Sequence, residues 1–150
     1  MLTITNVRNI ALAEDDEDDA AIFREVLVDI NSNVALWVTV NGVALMTLLS
    51  KATVLPDLIF LDVNMPLKNG LECLREIRSN HGWSNIRIIM LSTSALPEQI
   101  ELAYESGADL YLQKPTSYTA FKHALANCLD THRPAPQVAG EMIPNNLQSI

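Results

Sequence analysis

Five short apolar runs divide the sequence at nearly even intervals. They begin at residues 10, 34, 58, 86 and 110, so that successive starts lie 24, 24, 28 and 24 residues apart. Between the runs, apolar residues recur at the three- and four-residue spacing of an amphipathic helix, as in Ile22, Phe23, Val26, Leu27 and Ile30. Strands that alternate with helices predict a parallel β-sheet covered by helices on both faces.

The length allows one ordinary domain with a core of its own. The chain has 150 residues, of which 49% are hydrophobic, so it can fold without disulfides. We expect Cys73 and Cys128 to be buried thiols, because both lie in apolar helical patterns. We predict an α/β domain over residues 8–131. The tail, residues 132–150, has no sustained period and is predicted to be flexible or to dock on the domain or on a second copy of the chain.

The charge balance excludes one class of partner. Ten Lys and Arg face eighteen Asp and Glu, which gives a net charge of −8. We therefore predict no nucleic-acid binding and favour cations or proteins with basic surfaces. The amino terminus lacks the pattern of a signal peptide, and no apolar run reaches the length of about 18 residues that spans a bilayer. We expect a cytoplasmic protein without membrane insertion.

Polar residues follow four of the five runs. In an open parallel sheet, ligands bind at the carboxyl ends of the strands. In the flavodoxin-like order 2-1-3-4-5, the first and third strands are neighbours, which predicts that Glu14, Asp15 and Asp62 meet. The fourth and fifth strands would bring their own polar residues to the same edge: Ser92, Thr93, Ser94 and Lys114.

These residue types together indicate phosphoryl chemistry. Close carboxylates repel each other by about 4 kcal/mol per pair at 4 Å and an effective dielectric of 20, so a cation must offset them. Mg²⁺ prefers oxygen ligands, and Mn²⁺ takes similar ones. The ammonium of Lys114 and the hydroxyl of Ser92 can hold an oxyanion. Transfer of a phosphoryl group needs this charge neutralisation, and the central Asp62 is the candidate nucleophile.

Four separated motifs resemble those of a known family. The segments AEDD, LIFLDVNMPLKNG, MLSTSA and GADLYLQKP look like the CheY-like receiver domain of two-component response regulators. This resemblance implies a flavodoxin-like (βα)5 three-layer sandwich. It also implies that Asp62 is the phosphoacceptor, with Ser92 and Lys114 beside the phosphoryl group. Mg²⁺ would be held by Glu14, Asp15, Asp62 and the backbone carbonyl of Asn64.

The resemblance also implies a switch and a timer. Tyr111 falls at the position of the aromatic residue whose ring moves inward when Ser92 is drawn to the phosphate. Asn64, Thr93 and Ser94 occupy positions that tune the lifetime of the phosphoryl group. The bond between Lys114 and Pro115 is cis in the family, so we predict a cis peptide there.

The implied activity is signalling. We expect a single-domain response regulator that takes a phosphoryl group from a sensor histidine kinase or a phosphotransfer protein and then contacts a downstream protein. Apart from its own phosphorylation and dephosphorylation, it would not be an enzyme. The HGWSNIR stretch and the tail are similar to regulators that partner phytochrome-type kinases. A phosphorylation-independent protein-binding module with the same fold is the alternative.

The acidic block has a second part with an ordinary interpretation. Residues 16–19 follow Glu14 and Asp15 and are all acidic. Such a run at the start of a helix favours a solvated first turn, because negative charge suits the positive end of the helix dipole. We predict Asp18 or Asp19 as the helix cap and assign no site role to residues 16–19.

Overall fold

A computed structural model describes residues 7–130 and the segment 142–143. Strands and helices alternate in these residues as the apolar runs predict. In chain order they are β1 (Asn9–Ala13), α1 (Glu17–Ile30), β2 (Ala35–Thr39), α2 (Gly42–Lys51), β3 (Leu58–Asp62), α3 (Gly70–Ser79), β4 (Arg87–Ser92), α4 (Pro97–Glu105), β5 (Leu110–Gln113), α5 (Tyr118–Leu129) and β6 (Met142–Ile143).

The strand order is β2-β1-β3-β4-β5-β6, and the first five strands are parallel. The predicted order 2-1-3-4-5 is therefore confirmed. Strand β1 lies between β2 and β3, with Ala13 opposite Leu61. The carboxyl ends of β1 and β3 consequently adjoin each other at one edge of the sheet.

Two hydrophobic layers hold the helices against the sheet. Helices α2, α3 and α4 pack on one face, and α1 and α5 pack on the other. All five residues of β3 are buried, with Ile59 and Leu61 in the first layer and Leu58 and Phe60 in the second. The ring of Phe60 meets Phe23 of α1 edge-on at 4.9 Å between centroids. This packing makes the predicted three-layer sandwich.

The sixth strand was not expected. Met142 and Ile143 pair antiparallel with β5, in register with Leu112 and Tyr111. An edge strand exposes unpaired backbone groups, and a second strand satisfies them. Residues 131–141 and 144–150 lie outside the described part of the chain, so the division of the protein at residue 131 stays a prediction. Within the described residues, no helix is long and apolar enough to cross a membrane.

Both cysteines are buried free thiols, as the sequence predicts. Burial raises the pKa of the Cys73 thiol to about 11 and that of Cys128 to about 12. Little thiolate, which is the reactive form, is then present at pH 8.

We expect the folded protein to react with an aromatic disulfide reagent at pH 8 roughly 100-fold more slowly than the unfolded protein, because the thiols are both inaccessible and protonated. Absorbance of the released thiolate measures the rate. The same protein in guanidinium is the control and should titrate two thiols. Rapid modification of the folded protein would contradict the burial of both cysteines.

Candidate phosphoacceptor site

The adjacency of β1 and β3 brings three carboxylates together. Glu14 and Asp15 follow β1 directly, and Asp62 is the last residue of β3. Oxygen atoms of the three side chains all lie within 4.8 Å of one another. Glu14 and Asp62 are buried, whereas Asp15 is exposed at the mouth of the crevice. The structure thus assembles the three acidic residues that the strand order predicts would meet.

Backbone hydrogen bonds hold these carboxylates in place. The Glu14 N–H donates to the Thr39 carbonyl at 2.9 Å. The Asp16 N–H donates to Oε2 of Glu14 at 3.3 Å, and the Asn64 N–H donates to Oδ1 of Asp62 at 3.2 Å. Each buried carboxylate keeps its other oxygen for a partner in the crevice.

Lys114 supplies the positive charge. Its Nζ donates to Oε1 of Glu14 at 2.7 Å and to Oδ2 of Asp62 at 3.4 Å. Burial lowers the pKa of Lys114, but the hydrogen bond to Glu14 and the charge of Asp62 raise it by more, and the net pKa lies above the ordinary value. The ammonium is therefore charged, and it offsets part of the repulsion between the acids.

The pKa of Glu14 reflects its burial and its contacts with Asp62 and Lys114. Burial, followed by the hydrogen bond with Asp62 and the charge of Asp62, raises the pKa of Glu14 to about 7, although the hydrogen bond with Lys114 and the charge of Lys114 act in the opposite direction. The single ammonium of Lys114 therefore does not fully offset the effects of burial and of Asp62 on the pKa of Glu14. Such a site gains from an added cation.

The hydroxyl residues lie at the end of β4. Ser92 is buried, and its Oγ accepts the Ser94 N–H at 3.0 Å, while the Lys114 N–H donates to the Ser92 carbonyl at 2.7 Å. Thr93 is exposed, and its carbonyl accepts from Nε2 of Gln113 at 3.3 Å. Ser92 therefore borders Lys114 through the backbone, whereas the Thr93 side chain faces solvent.

Tyr111 lies inside the domain. Its ring is fully buried, and its hydroxyl donates to the Ser94 carbonyl at 2.9 Å. Burial raises the pKa of the Tyr111 hydroxyl, and a hydrogen bond with the Ser92 side chain lowers it in part. The predicted switch residue is thus connected to Ser92, the last residue of β4, and to Ser94, which lies two residues beyond it.

Two predictions about the acidic block and the proline are wrong. Asp16, not Asp18 or Asp19, caps α1: its Oδ1 accepts the Asp18 and Asp19 N–H groups at 2.9 and 3.0 Å. The helix begins two or three residues earlier than expected, and Asp19, in its first turn, contacts Lys114 in the crevice. No peptide bond in the described residues is cis, so the bond before Pro115 is trans, the isomer that the chain favours intrinsically. Lys114 reaches the carboxylates from this trans bond.

Sequence reasoning also missed the role of Gly70. A Cβ on this residue would lie 2.3 Å from the Asp62 carbonyl oxygen, so no other residue fits here without moving β3 or α3. The Gly70 N–H donates to the Val63 carbonyl at 3.0 Å and closes the loop after Asp62. The glycine at the start of a helix was the only signal in the sequence, and it did not reveal this close approach.

Comparison with known proteins agrees with this geometry. Residues 10–126 match the response regulator receiver domain. The chain belongs to this family. It is 33% identical over 110 residues to the response regulator Rcp1 of Synechocystis sp., an alignment that covers 70% of this chain and 75% of Rcp1. It is also 29% identical to stress response regulator protein 1 of Debaryomyces hansenii, over 84% of this chain and 50% of that protein.

Solved receiver structures superimpose closely. The Mn²⁺-bound form of Rcp1 matches with a TM-score of 0.76 at 29% identity, covering 85% of this chain and 99% of that one. The phosphorylated cyanobacterial phytochrome response regulator RcpA matches with a TM-score of 0.78 at 25% identity, covering 87% and 99%. The similarity to phytochrome response regulators expected from the sequence is therefore confirmed.

Gly70→Ala is expected to destabilise the receiver by about 1–3 kcal/mol, because the added methyl group collides with the backbone of Asp62. Urea unfolding measures the change. Gly82→Ala is the matched control: its Cβ would come no closer than 3.3 Å to Asn80 Oδ1, so it should change stability by less than about 0.5 kcal/mol. Equal effects of the two substitutions would contradict the close approach at Gly70.

Lys114→Met is expected to lower stability by about 1–3 kcal/mol in EDTA, because it leaves the buried carboxylates of Glu14 and Asp62 without their ammonium partner. Added Mg²⁺ should raise the unfolding midpoint of this variant more than that of the wild type, since Lys114 no longer competes for the same oxygens. Lys122→Met, on the exposed side of α5, is the control. A Lys114→Met protein as stable as the wild type in EDTA would disprove this account.

Proposed function

We propose that the protein is a phosphorylation-controlled response regulator in which Asp62 accepts the phosphoryl group. The observation that carries the proposal is the meeting of Asp62 with Glu14, Asp15 and Lys114 in one crevice. A nucleophilic carboxylate, two further acids and an ammonium are the groups that phosphoryl transfer to a carboxylate requires. The receiver unit of the proposal covers residues 8–131.

The donor set fits a hard divalent cation. Glu14, Asp15 and Asp62 offer only carboxylate oxygens, and their spacing suits Mg²⁺ or Mn²⁺. By resemblance to the family, the backbone carbonyl of Asn64 would add a fourth protein ligand. When bound, the cation neutralises negative charge on the carboxylates and on the phosphoryl oxygens. The relative Rcp1 has been solved with Mn²⁺.

The protein groups have distinct tasks in the transfer. An oxygen of Asp62 attacks the phosphorus of a phosphohistidine; the O–P bond forms as the P–N bond breaks, and the imidazole leaves. Lys114 holds its ammonium against the phosphoryl oxygens, and the Ser92 hydroxyl donates a hydrogen bond to them. Water later attacks the phosphorus of the acyl phosphate; the bond between phosphorus and the Asp62 oxygen breaks, inorganic phosphate leaves, and the Asp62 carboxylate is restored. The chain thus acts as a phosphoacceptor and not as an enzyme that turns over a separate substrate.

The switch follows from the link between Ser92 and Tyr111. When the Ser92 hydroxyl turns to the phosphoryl group, it gives up its hydrogen bonds with Tyr111 and the Ser94 N–H. The loss of these hydrogen bonds shifts the equilibrium between two conformations of the Tyr111 ring and of the surface formed by α4, β5 and α5. Asn64, Thr93 and Ser94 would set the lifetime of the phosphoryl group.

The proposed partners are proteins. A sensor histidine kinase or a phosphotransfer protein supplies the phosphoryl group, and a downstream protein reads the switched surface. We propose that the regulator works by such contacts as a single domain in the cytoplasm, without nucleic-acid binding, and that the tail, residues 132–150, contributes to docking on the domain or on a second copy. The similarity to Rcp1 and RcpA supports a phytochrome-type kinase as the donor.

Mass spectrometry after incubation with acetyl phosphate and Mg²⁺ tests the proposal. We expect one added phosphoryl group on the wild type and none on Asp62→Asn, since the amide is not a nucleophile. Asp57→Asn is the control, because Asp57 precedes β3 at the opposite edge and accepts from the Arg8 and Asn9 N–H groups. No adduct on the wild type would favour the phosphorylation-independent binding module instead.

Thr93→Ala is expected to shorten the lifetime of the phosphoryl group severalfold. Thr93 is exposed and directly follows Ser92. In this proposal its side chain narrows the path of the water that attacks the phosphoryl group, and alanine would widen that path. Loss of the adduct with time, followed after removal of acetyl phosphate, gives the rate. Identical rates for the variant and the wild type would remove Thr93 from the set of tuning residues.

A further inference from the structure

Lys114 has a third carboxylate partner, Asp19. The sequence predicts that Asp19 belongs to the solvated first turn of a helix. Oδ2 of Asp19 lies 3.1 Å from Nζ of Lys114, closer than the 3.4 Å of Asp62. Asp19 is in the first turn of α1, and its side chain is 43% exposed against 17% for Lys114. It approaches the ammonium from the solvent side of the crevice.

An ammonium has three N–H donors, and here each has its own carboxylate. The partners are Glu14 at 2.7 Å, Asp19 at 3.1 Å and Asp62 at 3.4 Å. Lys114 therefore has no donor left for a phosphoryl oxygen. An incoming phosphoryl group must displace one of the three carboxylates.

Asp19 is the partner most easily displaced. Glu14 and Asp62 are buried, and both belong to the group of carboxylates that can share a cation. Asp19 lies outside that group, and its half-exposed carboxylate regains water when it leaves Lys114. Release of Asp19 is thus the smallest rearrangement that frees a donor toward Asp62.

We propose that Asp19 is a positioning residue that holds Lys114 on the α1 side of the crevice and slows phosphorylation, because the incoming phosphoryl group must take its place. The inference rests on the proposed function of Asp62. Asp19 would slow the reaction in two ways: its negative charge repels an arriving phosphate dianion, and its carboxylate occupies the Lys114 ammonium that the phosphate needs.

Asp18 provides a matched control for this role. Asp18 and Asp19 are neighbours in the same turn, and both backbone N–H groups bond to Oδ1 of Asp16. Asp18 is exposed and is not a partner of Lys114. Asp18→Asn and Asp19→Asn therefore remove the same charge from nearly the same place, but only the second frees the ammonium.

The experiment measures the rate of adduct formation with acetyl phosphate at saturating Mg²⁺, by mass spectrometry. We expect Asp19→Asn to react about 3–5-fold faster than the wild type, the factor that corresponds to loss of one partly exposed ion pair. Asp18→Asn should stay within about 1.5-fold at 0.15 M salt, where exposed charges are screened. Asp19→Glu, which keeps the charge, should return the rate to the wild-type value.

A stability cycle checks the contact without phosphorylation. Asp19→Asn, Lys114→Met and the double variant are unfolded in urea with EDTA, and the unfolding equilibrium constants should show about a threefold coupling between the two residues. No coupling would overturn the inference. So would an Asp19→Asn rate no higher than that of Asp18→Asn while the wild type forms its adduct. If the wild type forms no adduct, the proposed function fails first, and the role of Asp19 fails with it.

Discussion

One ammonium group among buried carboxylates ties the candidate site together. Lys114 extends from the end of β5 and contacts side chains that follow β1, begin α1 and end β3. Without a positive charge, the acids gathered by these elements would repel each other or take up protons. Burial and the neighbouring Asp62 raise the pKa of Glu14 despite the presence of Lys114, so the ammonium offsets these effects only in part. The crevice is stable enough to fold and still favours the arrival of another cation.

The sheet makes this arrangement precise. Strand β3 is buried along its whole length between two hydrophobic layers, so its last residue has little freedom to move. Gly70 then brings the start of α3 against the Asp62 backbone, which limits the loop that follows. The rigid end of β3 therefore holds the carboxylate of Asp62 in a fixed position, which favours reaction at that group. The apolar core therefore contributes to chemistry that takes place in a polar crevice.

A short series of hydrogen bonds connects the candidate site to β5. Ser92 is next to Lys114 through a backbone hydrogen bond, and it also bonds the buried Tyr111 hydroxyl. Tyr111 belongs to the strand that pairs with β6, so the tail contacts the backbone of the predicted switch residue. In the proposed function, an event at Asp62 that draws the Ser92 hydroxyl away would reach β5 through these contacts. The ion pair between Asp19 and Lys114 brings α1 into the same set of contacts.

Local patterns determined the framework of the protein. Apolar runs at a spacing near 24 residues, with helical periodicity between them, specify alternating strands and helices, because each element must bury one side. The motifs around Asp62 and Lys114 identified the family and the strand ends that would meet. Tertiary structure alone decided the contacts that depend on atomic reach: Asp19 on Lys114, Gly70 against Asp62 and the pairing of β6 with β5. A pattern in the sequence shows which side of an element is buried. The exact residue at which a helix starts, and how closely two backbones approach, are set by packing between elements that are far apart in the chain.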